Sequence, residues 1–469
     1  MNQKILLTGV SSLFIMTVGA FLLFIASQVG AVSINYQLVS PRISGIATNG
    51  QPQTLMGSSH SVSGDGRYIV FSSISNDIVV DDNNNLSDIF VRDTETNTTK
   101  RVSVSTAGIE ANAFSSDASI SYDGAYIVFR SSATNLVDNI SSTPITHIYM
   151  HNLSTGETTL IDKSAAGDIG SGHSSSPKVS AEGRFVVFSS QATNLVPGFS
   201  SPINHQVYVK DVHSGAIKAL SVSSTGVVGN GSSINPDISC DGGVVVFATD
   251  AENLGGAGVS GRFDLTVVHL GWDNLDSRTV TGGLSSGIRH TSLAAPQVSC
   301  DGNKVLFVSS ATNAVSPSTP SGYPNAYTYN RLTATLEQVS LGDNDVQSNS
   351  APTYGGMSAA MSYDGRYVAF TNRAGNMDLA YPQATGSYVS LYIRDTKERT
   401  TDTAAVLVSG KRSRYIQEQN PMSLDGDGSM IAFGHLTPTA SNANSALING
   451  YTTGLVNGWV DIYKTQTEY

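Results

Sequence analysis

The residues whose types and spacing most suggest chemistry run Asp81-Asp82-Asn83-Asn84-Asn85-Leu86-Ser87-Asp88. Oxygen-bearing side chains fall at alternate positions, Asp81, Asn83 and Asn85, and Asp88 follows. That spacing suits the opening of a calcium loop, where hard oxygen donors gather round Ca²⁺. Asp81, Asn83, Asn85 and Asp88 are therefore the expected metal ligands. The turn glycine and closing glutamate of a full calcium loop are missing, so a solvated polar loop is the competing reading. Asp425-Gly426-Asp427 and Asp343-Asn344-Asp345 are weaker versions of the same pattern.

Two other patterns carry less. Gly283-Leu284-Ser285-Ser286-Gly287 matches the G-x-S-x-G nucleophile pattern. That chemistry needs a strand-to-helix elbow with an acid and a His later in the chain. Here the string lies in a Gly/Ser-rich loop, and chance is the better reading. His147 and His151 are four apart, a metal-binding spacing on a helix. On a strand, positions four apart lie about 13 Å apart, too far to share one ion. Sequons at Asn85, Asn97, Asn139, Asn152 and Asn230 matter only in a host that glycosylates exported proteins.

The composition sets the frame for these candidates. In 469 residues, charged side chains make up 13% and hydrophobic ones 40%, with net charge -11. No basic stripe is present, which argues against a nucleic-acid partner. The 45 glycines suit a chain with many tight turns. After Lys4 no charge occurs until Arg42, and Ile5 to Val32 is almost wholly apolar or small. Residues 1–32 read as a cleaved secretory signal, with Val29-Gly30-Ala31 supplying the small cleavage residues, or as a retained membrane anchor. Both readings put the rest of the chain outside the cytoplasm, at the cell surface, in the periplasm or secreted. Membrane contact is expected only through this segment.

Residues 33–469 are built from repeats. Seven related strings end at Phe71, Phe129, Phe188, Phe247, Phe307, Phe370 and Phe433, spaced by 58 to 63 residues. Each carries an acid followed by Gly: Asp65, Asp123, Glu182, Asp241, Asp301, Asp364 and Asp427. Strand, acid-Gly turn and apolar strand make a hairpin signature. An Asn recurs beyond the Phe, as Asn135, Asn194, Asn253, Asn313 and Asn376, and is expected to cap loop backbone. A third strand such as DIFVRD and a fourth such as TTKRVSVS follow.

Four strands per copy, seven copies and no helical pattern predict an all-β, seven-bladed β-propeller with four-stranded antiparallel blades. The last copy stops after its third strand, and a spare strand begins near Tyr36. The N-terminal strand is expected to join the last blade and close the ring. Cys240 and Cys300 occupy equivalent turns of adjacent blades. That separation is expected to exceed the roughly 7 Å Cα limit for a disulfide, leaving both as free thiols.

These repeats resemble the TolB-type β-propeller family over residues 36–469. The strings S-x-D-G-R-Y-V-x-F, S-S-A-T-N-L-V and D-I-Y-V-R-D carry the likeness. The resemblance implies a propeller; its members include scaffolds, periplasmic binding proteins and the propeller halves of peptidases. The meander places the short turns on one face. The second-to-third loops and the blade-to-blade connectors share the other, where binding usually lives. The expected function is a non-catalytic, exported module that binds a protein or glycan at this loop face. The alternatives are a propeller lyase or glycosidase with a site spread over several blades, and a structural subunit of a surface assembly.

Overall fold

In the computed structural model the described residues are 60–404, apart from stretches within 142–143, 199–203, 256–261, 272–274, 282, 290–293, 316–322, 349–356 and 380–388. They also include 422–436 and the strand segments 36–38, 54–55, 447–448, 451–452 and 460–466. The expected signal or anchor at 1–32 lies outside them. Among the described residues no helix is long and apolar enough to cross a membrane. The only helical turns there are Glu252–Leu254 and Asp343–Asp345.

Six four-stranded sheets each take four consecutive strands in antiparallel order. The second blade, for example, uses Ser115–Ile120, Tyr126–Ser131, His147–Asn152 and Thr158–Leu160. A further four-stranded sheet is composite, in the order Met422–Leu424, Met430–Leu436, Val460–Gln466 and Tyr36–Leu38. Tyr36 pairs with Thr465 and Leu38 with Tyr463, so the two ends of the chain share one sheet. The fold is a β-propeller.

Repetition fixes the local structure. Phe71, Phe129, Phe188, Phe247, Phe307, Phe370 and Phe433 are all buried. Five of them stack on the aromatic ring opposite in the third strand, as Phe129 does on Tyr149 at 5.8 Å. At the acid-Gly turns the acid closes a small network. The Ser63 hydroxyl and the Arg67 N–H both donate to Asp65, and the Tyr68 N–H donates to the Ser63 hydroxyl. The glycine that follows the acid has φ between 71° and 78° in all seven turns, the left-handed region only Gly enters at little cost.

The first strands of neighbouring blades pack against one another, and there the turns meet in a ring. Gly64 N–H donates to Tyr122 O, Asp123 N–H to Ala181 O, and Ala181 N–H to Cys240 O. Cys240 N–H then donates to Cys300 O, and Cys300 N–H to Tyr363 O. Asp364 N–H reaches Gly426 O, and Gly426 N–H returns to Gly64 O. Side chains at these positions crowd the ring, with Tyr122 edge-on to Tyr363 at 4.9 Å. A Cβ on Gly64 would stand 2.4 Å from the Tyr122 ring, so this position needs glycine.

This convergence corrects the expectation for the cysteines. Cys240 and Cys300 form a disulfide, with Cα atoms 4.5 Å apart. Blades spread apart toward their outer strands, but the inner turns are in direct hydrogen-bond contact. The separation there falls at the short end of the range a disulfide spans.

Candidate functional site

The recurring Asn defines how the loop face is held. Asn135 accepts from the Asn112 N–H and donates to Glu110 O. Asn194 does the same to Ser171 and Ile169, and Asn253 to Asn230 and Val228. Each Asn therefore ties a second-to-third loop to the connector entering its own blade. Ser285 occupies the same connector position: its N–H donates to Asn313 and its hydroxyl accepts from Thr312 N–H. This is a loop clamp, with no strand-to-helix elbow. His147 and His151 also have local partners, Asp162 and Thr158, each at 2.9 Å.

The first blade departs from this pattern. Asp82, Asp88 and Glu110 bring carboxylate oxygens within 4.8 Å of one another, the one such group of acids among the described residues. Of the four ligands expected from the sequence, only Asp88 belongs to it. Asp81, Asn83 and Asn85 are exposed. The Asp81 carbonyl accepts from Arg101, the Asn83 N–H donates to Glu110, and the Asn85 side chain accepts from Asn76. Asn84 supports the group instead, donating to Asp88 and to Ala111 O.

Asp88 has a structural partner as well. Its carboxylate accepts from the Ser103 hydroxyl, as Gln206 accepts from Ser221 and Asp264 from Thr281 at the same places in other blades. Asp82 and Glu110 belong to the first blade alone. Glu110 pairs with Arg101 at 2.5 Å, and Asp82 lies 3.6 Å from the same guanidinium. Burial, then the charge of Asp88, push the Asp82 carboxyl up to about 7. The alternate-position rule takes Asp81 and passes over Asp82 beside it, and Arg101 and Glu110 come from other segments. Comparing repeats finds them: the bridge Val104–Glu110 recurs as Lys163–Ile169 and Val222–Val228, with an apolar residue in place of the acid.

A second polar cluster lies buried among the first strands and gathers residues from separate blades. His60 Nδ1 stands 3.2 Å from Asp237, and its ring stacks on Tyr363 at 4.6 Å. Asp237 accepts from the Val298 N–H, and Gln297 bridges to Ala359 O and the Met361 N–H. Lys178, Asp237 and His60 are all buried. Burial, helped by the Lys178 charge, holds the His60 imidazole down at about 3 and so neutral. Burial raises the Asp237 carboxyl while Lys178 opposes the rise. Three consecutive blades bulge their first strands beside this cluster, with Asp117, Ser176 and Asn235 at φ between 51° and 53°. Non-glycine residues held there store local strain.

No protein-family model matches the chain, and no curated protein sequence does. Solved structures share its fold. The oligogalacturonate lyase of Vibrio parahaemolyticus is 13% identical with a TM-score of 0.50, covering 93% of this chain and 97% of its own. TolB from Acinetobacter baumannii is 18% identical with a TM-score of 0.38, over 67% of this chain; the match spans 58% of the TolB chain. The β-propeller domain of the Trilobed protease from Pyrococcus furiosus is 12% identical with a TM-score of 0.47, covering 84% of this chain and 93% of that domain. The likeness is one of fold. A shared fold does not fix function, so function must come from the sites.

Proposed function

We propose that the protein is an exported, non-catalytic propeller of seven blades that binds a protein or glycan partner through its loop face. The observation that carries this is where apolar side chains meet water. Of the ten large hydrophobic residues exposed among the described ones, eight belong to the loop face: Ile74, Val80, Ile109, Phe114, Val227, Tyr323, Val346 and Leu379. Only Tyr122 and Leu332 lie at the turns. Apolar side chains exposed on one face offer a partner surface to cover, and aliphatic ones favour a protein over a glycan. The Asn clamps supply the rigid support that such loops need.

The composite sheet acts in this reading as the seventh blade. Its inner turn lies between those of its neighbours, with Gly426 bonded to Gly64 on one side and Asp364 on the other. The disulfide supports export, since such bonds persist mainly in oxidising compartments. The test is capture of partners from extracts of the source cells with immobilised protein. Charge placed at Ile109 and Val227 should abolish a specific capture, while Leu332→Lys on the turn face should preserve it. Equal loss from both faces would sink the reading.

The buried polar cluster among the first strands favours a second reading, a polysaccharide lyase. His60, Lys178, Asp237 and Tyr363 are the acid–base groups such a site would use, and the oligogalacturonate lyase shares the fold. Release of unsaturated sugar ends from oligogalacturonates, lost in Lys178→Met, would establish it over the binding module.

A further inference from the structure

The first blade places charge where its neighbours place apolar contact. Arg101 and Glu110 meet across the end of the fourth strand and the connector. In the second blade those positions are Leu160 and Ile169, which pack in one hydrophobic cluster. Asp82 enters from the second-to-third loop. Three carboxylates then share one guanidinium, and two negative charges remain.

The partners divide unevenly. Asp88 accepts from the Ser103 hydroxyl and the Asn84 amide. Glu110 takes the close pairing with Arg101 and accepts from the Asn83 N–H. Asp82 is only 6% exposed, and both of its carboxylate oxygens are buried with no hydrogen-bond partner. Leaving a buried carboxylate in that state is costly, because no hydrogen bond replaces the water it gave up and the Arg101 guanidinium, 3.6 Å away, is shared with Glu110.

The geometry points to a calcium ion held by Asp82, Asp88 and Glu110. The three oxygens lie within 4.8 Å of one another, a span that suits donors around one ion at about 2.3–2.6 Å. All the donors are hard oxygens, which disfavours zinc. Asp82 offers two oxygens, the irregular bidentate mode that calcium accepts and magnesium resists. The ion would neutralise both remaining charges. It would tie the second-to-third loop at Asp82 to the connector at Glu110 and to the start of the third strand at Asp88. Exposed Val80 and Ile109 flank those anchors, so calcium would set the order of that part of the loop face. The site stands whether or not that face binds a partner.

A proton is the competing occupant, since Asp82 holds its proton up to about pH 7. Calorimetric titration of the full chain with calcium chloride at pH 7.5 separates the two. The expected result is one saturable site per chain. Calcium should also raise the melting temperature by several degrees over chelator, with magnesium giving much less. Asp82→Asn should abolish the calcium response and melt no lower than wild type in chelator. Glu110→Gln should weaken binding at least tenfold, and it serves if Asp82→Asn fails to fold. No binding heat at millimolar calcium, with a melting temperature equal in calcium and chelator, overturns the proposal and leaves the site to a proton.

Discussion

Gly426 donates its N–H to the carbonyl of Gly64 at 2.8 Å, joining the last acid-Gly turn to the first. A Cβ on Gly426 would approach that same carbonyl to 2.5 Å. Closure of the ring thus rests on two glycines at the inner turns and on the Tyr36–Leu38 strand at the outer edge.

Removal of the outer strand gives the first prediction. Without Ile34–Ser44, Val460–Gln466 loses the outer neighbour it has among the described strands and presents an open edge. The truncated protein should aggregate on heating and melt at least several degrees lower. Scattering and circular dichroism would record both. An unchanged melting temperature would show that closure by this strand contributes little.

The disulfide gives the second. Cys240 and Cys300 are separated by 60 residues, and a bridge over a loop of that order contributes about 2–4 kcal/mol. Cys240→Ser with Cys300→Ser should stay folded, because the Cys240 N–H to Cys300 O bond survives. Its denaturant midpoint should fall by a corresponding amount. Thiol counting under denaturing, non-reducing conditions should find no free thiol in the wild type.

The loop clamps give the third. Asn194→Ala removes an acceptor for the Ser171 N–H and a donor to Ile169 O. Two lost hydrogen bonds at an exposed site, where water can take their place, should cost about 1 kcal/mol or less in all. Hydrogen exchange should speed up at the connector around Ile169 and Ser171, with the third-to-fourth turn of the same blade unchanged. Uniform acceleration across the blade would mean that the Asn supports the whole sheet.

Repetition explains which features the sequence made visible. Phe129 or the Asp123-Gly124 turn appears seven times, so one local argument tested itself at seven places. The cysteine pair needed a distance between blades, which depends on radius, and the inner radius is where the blades touch. Asp88 was legible from local spacing, but Arg101 and Glu110 reach it only through the meander. The buried polar cluster was harder still. Lys178, Asp237 and Gln297 sit at one repeat position that is Ser119, Ala360 or Ser423 in other blades. A single substitution per blade forms no motif until the ring is closed.

Buried carboxyl groups predict how stability follows pH. Asp82 is raised to about 7, and Asp402 and Asp425 to about 6, each chiefly by burial. The folded protein binds these protons more tightly than the unfolded chain, whose Asp groups titrate near pH 4. Their stabilisation is complete below about pH 4 and is lost as pH rises through 6 and 7. Asp93 acts in the opposite sense, because the hydrogen bond from Arg67 holds it well below the ordinary range. It stabilises the fold above about pH 4 and fails only in stronger acid. The melting temperature should therefore climb by roughly 2–5 °C from pH 7.5 to 5 and fall again below about pH 4. Measured in chelator, Asp82→Asn should flatten the part of that climb nearest neutrality and leave the acid limb alone. A melting temperature that rises steadily from pH 5 to 7.5 would mean that these carboxyls are ionised and paired in the folded protein.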